Sequence, residues 1–159
     1  MGRTRNGADT ALMFATLDFG QKLLVVGGIL SLIASLLHVG VIIGGPDWYR
    51  FFGAGEDMAQ LAERGSLYPV LITMGIASII AIWAWFAFAG AGLVWKPPLL
   101  RTGLVVISVV YLARGLIIFP MALFVPEKIN SFAVWSSLIV LIYGLFYAVG
   151  TWKSWSSLS

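Results

Sequence analysis

Two ionisable side chains lie inside long apolar runs, where charge is costly. They are His38 and Arg114. An arginine cannot shed its proton, so within a bilayer it must snorkel, pair or meet water. At the centre of a span it costs about 2.5–3.5 kcal/mol, and less nearer the boundary. Each residue sits about six positions before the outer end of its run, roughly 9 Å deep at 1.5 Å per residue. Thr73 and the pair Ser136-Ser137 fall near the same depth in the other two apolar runs. The spacing predicts one polar layer to which every run contributes. Arg114 then reads either as a snorkelling cation in a structural ion pair or as the floor of an outward-facing pocket. Tyr111, three residues earlier, shares its helical face. His38 reads as a hydrogen bond to a neighbouring helix. If it is functional, it is a proton donor or acceptor near neutral pH, an axial ligand, or a donor to a carbonyl.

The counter-charge is expected from the connection between the first two runs. That segment, Gly45 to Ser66, is too long for a mere turn. It opens with Trp48-Tyr49-Arg50-Phe51-Phe52, a composition suited to the membrane–water boundary. Trp48 and Tyr49 read as interfacial anchors or as the aromatic wall of a lipid-facing pocket. Gly53-Ala54-Gly55 allows a sharp bend. Glu56 to Arg64 then reads as a short helix with Met58, Ala59, Leu61 and Ala62 as its apolar positions. Glu56, Gln60 and Glu63 fall within roughly 60° of one another. This stripe is either the solvated face of a helix lying on the membrane or a source of carboxylate for a buried cation. Glu56 and Glu63 are the residues placed to pair with Arg114.

These residues must be positioned by membrane helices. The chain has 159 residues, of which 60% are hydrophobic and 11% charged, with a mean hydropathy of +0.95. A soluble domain of this size carries about 25% charged residues. So few charges cannot cover a water-facing surface, so lipid must solvate part of it. Spanning a bilayer takes roughly 20 apolar residues, and four segments qualify: 21–44, 67–94, 99–119 and 132–152. Backbone groups in lipid must be satisfied within their own segment, which makes these helices. The expected fold is an all-α four-transmembrane-helix bundle, with an amphipathic interfacial helix in the first outer loop. It forms one domain over 17–159, preceded by a mobile, polar N-terminal stretch, 1–16. The first span reads as a retained helix rather than a signal peptide, because it is too long, starts too late and lacks a small-x-small exit.

Four spans put both termini on one side. Arg3, Arg5, Lys22, Lys96, Arg101 and Lys153 share that side, against Arg50, Arg64 and Lys128 on the other. Positive residues favour the cytoplasm, so both termini are expected there. Trp95-Lys96-Pro97-Pro98 is a tight turn that makes the second and third helices antiparallel neighbours. Gly40/Gly44, Gly75/Ser78 and Gly90/Gly92 read as sites of close helix approach. Trp83, Trp85, Phe86 and Phe88 read as core or lipid-facing residues. Pro69 starts the second helix, and Pro120 is expected to end the third.

The chain has no cysteine and a single histidine. That excludes disulfides, thiol redox chemistry and a multi-histidine metal site. No metal site or cofactor is expected. No Lys/Arg block follows the spacing of nucleic acid, so nucleic acid is not an expected partner.

The run from His38 through Gly44-Gly45-Pro46-Asp47-Trp48-Tyr49-Arg50-Phe51-Phe52-Gly53-Ala54-Gly55-Glu56, with Tyr111-Leu112-Ala113-Arg114-Gly115 later, resembles a family of small four-helix proteobacterial inner-membrane proteins. The likeness covers most of the chain beyond about residue 20. It implies an inner-membrane location and brings no mechanism with it. The architecture is similar, more loosely, to DoxX-like membrane proteins. The leading expectation is a non-enzymatic protein binding membrane lipid, a lipid-like or quinone-like amphiphile, a further copy of itself or a membrane partner from the periplasmic side. The alternatives are an acid–base enzyme using His38 with Glu56 or Glu63, and an oligomeric transporter or channel.

Overall fold

The computed structural model describes residues 15–158, and every regular element among them is helical. The elements are α1 (Phe19–Gly44), α2 (Pro46–Phe51), α3 (Glu56–Glu63), α4 (Tyr68–Gly90), α5 (Leu100–Leu116), α6 (Ile118–Phe124) and α7 (Ser131–Lys153). Short 3-10 turns cover Pro126–Lys128 and Trp155–Leu158. Four helices are long and apolar enough to cross a membrane: α1, α4, α5 continued by α6, and α7. The protein is thus an all-α, multi-pass membrane bundle. No more than 28% of the most apolar stretch of any span is buried. The remaining Leu, Ile, Val and Phe surface is what lipid solvates. Both ends of the described chain lie on one side, which we call the terminal side. The connection carrying α2 and α3 lies on the loop side. The N-terminal stretch expected to be mobile falls, up to residue 14, outside the described residues.

Helix ends follow local chemistry. Asp18 accepts the Gln21 backbone N–H at 2.8 Å, and the Gln21 side chain accepts from Asp18 N–H at 2.9 Å. This reciprocal cap starts α1. The second span stops at Gly90 rather than at Val94. Gly92 takes φ +77° there, and Leu93 N–H closes on the Phe88 carbonyl at 2.9 Å. Gly92 is therefore a helix terminator and not a packing residue. The third span does not end at Pro120. It breaks at Ile117 and resumes through Phe124. Proline has no N–H for the Leu116 carbonyl, so the disturbance falls about three residues upstream of the ring.

Around the bundle, α1 packs most extensively on α4, α5 on α7, and α1 on α7, while the α4–α5 seam is the sparsest. A short turn thus made α4 and α5 neighbours without making them close partners. Their terminal-side halves meet, with Phe86 over Gly103, Leu104 against Gly90, and the Trp83 and Tyr111 rings edge to face at 4.9 Å. The loop-side half of α4 is mostly exposed. From Leu71 to Ile79, only Thr73 and Ala77 are buried. That stripe belongs to α1, because Ser35 Oγ donates to the Ala77 carbonyl at 2.8 Å. The α5–α7 seam is the opposite case. A Cβ on Gly115 would lie 2.7 Å from Leu141 Cα, so the two backbones are in direct contact.

Candidate functional site

The deepest polar feature is a chain of hydroxyls midway along α1. Ser31 Oγ lies 2.9 Å from both Tyr111 and Tyr147 hydroxyls, and Tyr147 OH donates to the Trp83 carbonyl at 3.0 Å. Each hydroxyl has one proton. Tyr147 has committed its own to Trp83, so Ser31 donates to Tyr147 and Tyr111 donates to Ser31. The chain runs one way through α5, α1, α7 and α4. Ser31 and Tyr147 are completely buried. The sequence reading missed it, although a signal was present. Ser31, Ser35 and His38 recur at helical spacing on one face of α1.

Above this chain lies the expected polar layer, joined only in part. Arg114 Nη1 donates to Ser137 Oγ at 3.2 Å, and Ser137 is 2% exposed. This links α5 to α7 at roughly 9 Å below the loop-side end of α7. Ser136 turns back on its own helix, donating to the Ala133 carbonyl at 3.2 Å. Thr73 is buried on the α1-facing stripe of α4. Among the described residues His38 makes no bond to another helix. Its Nδ1 lies 2.8 Å from the Ala34 carbonyl of its own helix. A carbonyl only accepts, so Nδ1 carries the proton and a neutral ring presents Nε2 as an acceptor. His38 follows Ser31 by seven residues, within roughly 20° on the same face and about 10 Å nearer the loop side.

No carboxylate among the described residues pairs with Arg114. Glu56 and Glu63, expected to do so, hold Arg50 instead. Arg50 Nε and Nη2 reach the two Glu56 oxygens at 2.8 and 2.9 Å, and Nη2 reaches Glu63 at 2.7 Å. Asp47 adds a 3.4 Å contact, and Gln60 donates to Glu56 at 3.3 Å. The clasp holds the Glu56 carboxyl down at about 2, and it raises the Arg50 guanidinium above its ordinary value. The Glu56–Gln60–Glu63 stripe is exposed and ties α2 to α3. It does not point into the bundle. The other face of α3 buries Ala59 and packs Met58 and Ala62 against Val41 and Tyr49. Tyr49 is 1% exposed and its hydroxyl finds no partner among the described residues. The Trp48 indole lies over Gly44 and Gly40. This Gly-x-x-x-Gly therefore seats a side chain, not a second helix. Gly75 meets nothing within 4 Å and Ser78 bonds only its own helix, so that pair makes no contact between helices in this chain.

No family model, curated protein or solved structure matches this chain. The site is therefore judged by its own chemistry. Among the described residues no hydrogen bond joins His38 to either glutamate: His38 Nδ1 meets the Ala34 carbonyl, and Glu56 and Glu63 accept from Arg50. On the terminal side Leu24, Leu104 and Leu158, all at most 3% exposed, converge on Gly90. Among the described residues, no group of three metal-ligating side chains exists. Arg114 remains as an exposed guanidinium at membrane depth. It follows Gly103 by eleven residues and so lies within roughly 20° of the face that meets Phe86 of α4. Around its own height α4 buries only Thr73 and Ala77 between Leu71 and Ile79, and Arg114 bonds α7 through Ser137.

Proposed function

We propose that this is a non-enzymatic inner-membrane protein that binds a lipid-like or quinone-like amphiphile from the periplasmic leaflet. The ligand enters sideways, between the loop-side halves of α4 and α5. The observation that carries this reading is Arg114, a permanent cation within a span whose only partner among the described residues is the neutral Ser137 hydroxyl. Such a charge favours a phosphate, carboxylate or carbonyl delivered at that depth. His38 Nε2, on the inward face of α1, supplies an acceptor for a headgroup hydroxyl. The hydroxyl chain closes the floor beneath both. The inner-membrane location rests on the family resemblance, and the six-to-three Lys/Arg distribution favours cytoplasmic termini.

Native mass spectrometry of gently extracted full-length protein tests the ligand. A co-purifying amphiphile is expected in the wild type and is lost in Arg114→Ala. No adduct, or one that survives the substitution, refutes the reading. The absence of native cysteine makes orientation testable with single cysteines. Ala54→Cys is expected to react with a membrane-impermeant maleimide from the periplasm, and Ser157→Cys only after the membrane is opened.

A further inference from the structure

We propose a second, separate site on the terminal side: the groove between α5 and α7 holds one acyl chain of an anionic phospholipid, with its phosphate at Arg101. The groove measures about 270 Å³. Val105, Val109, Leu112 and Ala148 form its apolar walls. Trp152 and Trp155 stand at its terminal-side mouth, where amphipathic rings favour the headgroup level. Arg101 is one turn before Val105 and lies at that mouth. Its guanidinium carbon is 5.2 Å over the Trp155 ring, and Nη2 donates to the Trp155 carbonyl at 3.0 Å. These two contacts hold the guanidinium in place.

Two polar groups at this place lack partners among the described residues. Arg101 Nε is buried and makes no bond. Thr151 lines the groove at 3% exposure, and its hydroxyl finds no acceptor or donor. A helical threonine ordinarily satisfies its hydroxyl on the carbonyl four residues earlier, and Thr151 does not. Lys153 adds charge nearby, with Nζ 5.2 Å over the Trp152 ring. Among described residues this side carries Lys22, Lys96, Arg101 and Lys153 against Asp18 alone, and Asp18 caps α1. The occupant that matches an apolar slot with a cationic, tryptophan-flanked mouth is a phospholipid with net negative charge from the adjoining leaflet. A zwitterionic lipid fills the slot and brings the same phosphate, but its ammonium is repelled by Arg101 and Lys153, so net charge sets the preference.

The full chain in detergent, incubated with dioleoyl phosphatidylglycerol or dioleoyl phosphatidylcholine, separates these cases by native mass spectrometry and thermal unfolding. Identical chains isolate the headgroup. Phosphatidylglycerol is expected to be retained preferentially and to raise the unfolding temperature more. Arg101→Gln is expected to weaken phosphatidylglycerol retention roughly tenfold, the ratio for one lost charge-assisted bond, and phosphatidylcholine retention less, so that the preference falls. Ala148→Trp, which fills the slot, is expected to remove retention of both lipids while elution and helicity stay normal. Equal retention of the two lipids by the wild type overturns the proposal, as does a preference that survives Arg101→Gln. Arg114→Ala is expected to leave the preference intact. If Arg114→Ala abolishes it and Arg101→Gln does not, the lipid sits in the loop-side gap and this site is refuted.

Discussion

Removing the Tyr147 hydroxyl tests whether the buried chain holds the bundle together. In Tyr147→Phe the ring keeps its place, but two bonds vanish: the one accepted from Ser31 at 2.9 Å and the one donated to the Trp83 carbonyl at 3.0 Å. Hydrogen bonds between membrane helices average about 0.6 kcal/mol each, with a maximum near 1.7. The pair is therefore worth about 1.2 kcal/mol, or roughly eightfold in the folding equilibrium. Tyr143→Phe is the control. Tyr143 packs its ring 5.7 Å from Tyr111, and its hydroxyl makes no bond among the described residues. Its loss is expected to change stability by less than about 0.5 kcal/mol. Reversible unfolding in mixed detergent–SDS micelles, followed by circular dichroism, measures both. Ser31→Ala should cost at least as much as Tyr147→Phe, because it also strips the partner of Tyr111. Equal effects of Tyr147→Phe and Tyr143→Phe would refute the one-way chain. So would a neutral Ser31→Ala.

Arg114→Met is expected to stabilise the bundle by about 1–2 kcal/mol while abolishing ligand capture, since it removes an uncompensated cation from a span. The same SDS titration reads its sign. Gly44→Val should cost about 1–3 kcal/mol by unseating Trp48, with a shift in tryptophan fluorescence, whereas Gly75→Ala, facing open space, should stay within about 0.5 kcal/mol. The Arg50 clasp sets a pH dependence. Glu56 is lowered from 4.5 to about 2, so its contribution is fully present above the ordinary carboxylate value and is lost as pH falls toward about 2. Near-UV circular dichroism of the α2–α3 cap should be flat from neutral pH to about 4.5 and decline below it, and Glu56→Gln should remove that decline.

Segment by segment, the spans were legible because a bilayer imposes a length and a composition that a chain shows on its surface. The buried face of α3 was legible for a local reason: 3.6-residue periodicity needs no knowledge of neighbours, whereas the Asp18 cap that starts α1 was not read. Ends were less so. Pro120 marked a break correctly in kind but not in place, because proline disturbs the turn before it. The glycines misled where their partner was a ring: Gly40 and Gly44 admit Trp48, and Gly92 ends a helix.

Pairing was decided only in three dimensions. Arg50, Asp47, Glu56 and Glu63 all lie in one loop, so the nearer cation captured the carboxylates expected for Arg114. That capture depends on the α2–α3 turn, which no spacing rule specifies. Ser31, Tyr111 and Tyr147 are 80 and 116 residues apart in their bonded pairs. Nothing local relates their rotations about their helix axes until the bundle is packed. The polar types and depths of His38 and Arg114 belonged to the sequence. That His38 turns back to its own backbone, and that Arg114 meets Ser137 and no carboxylate among the described residues, came from how four apolar rods share their contacts. Lipid-facing apolar surface is nearly uniform, so hydropathy alone does not choose which seam closes; backbone contact at Gly115 and the stripe of α4 taken by α1 did.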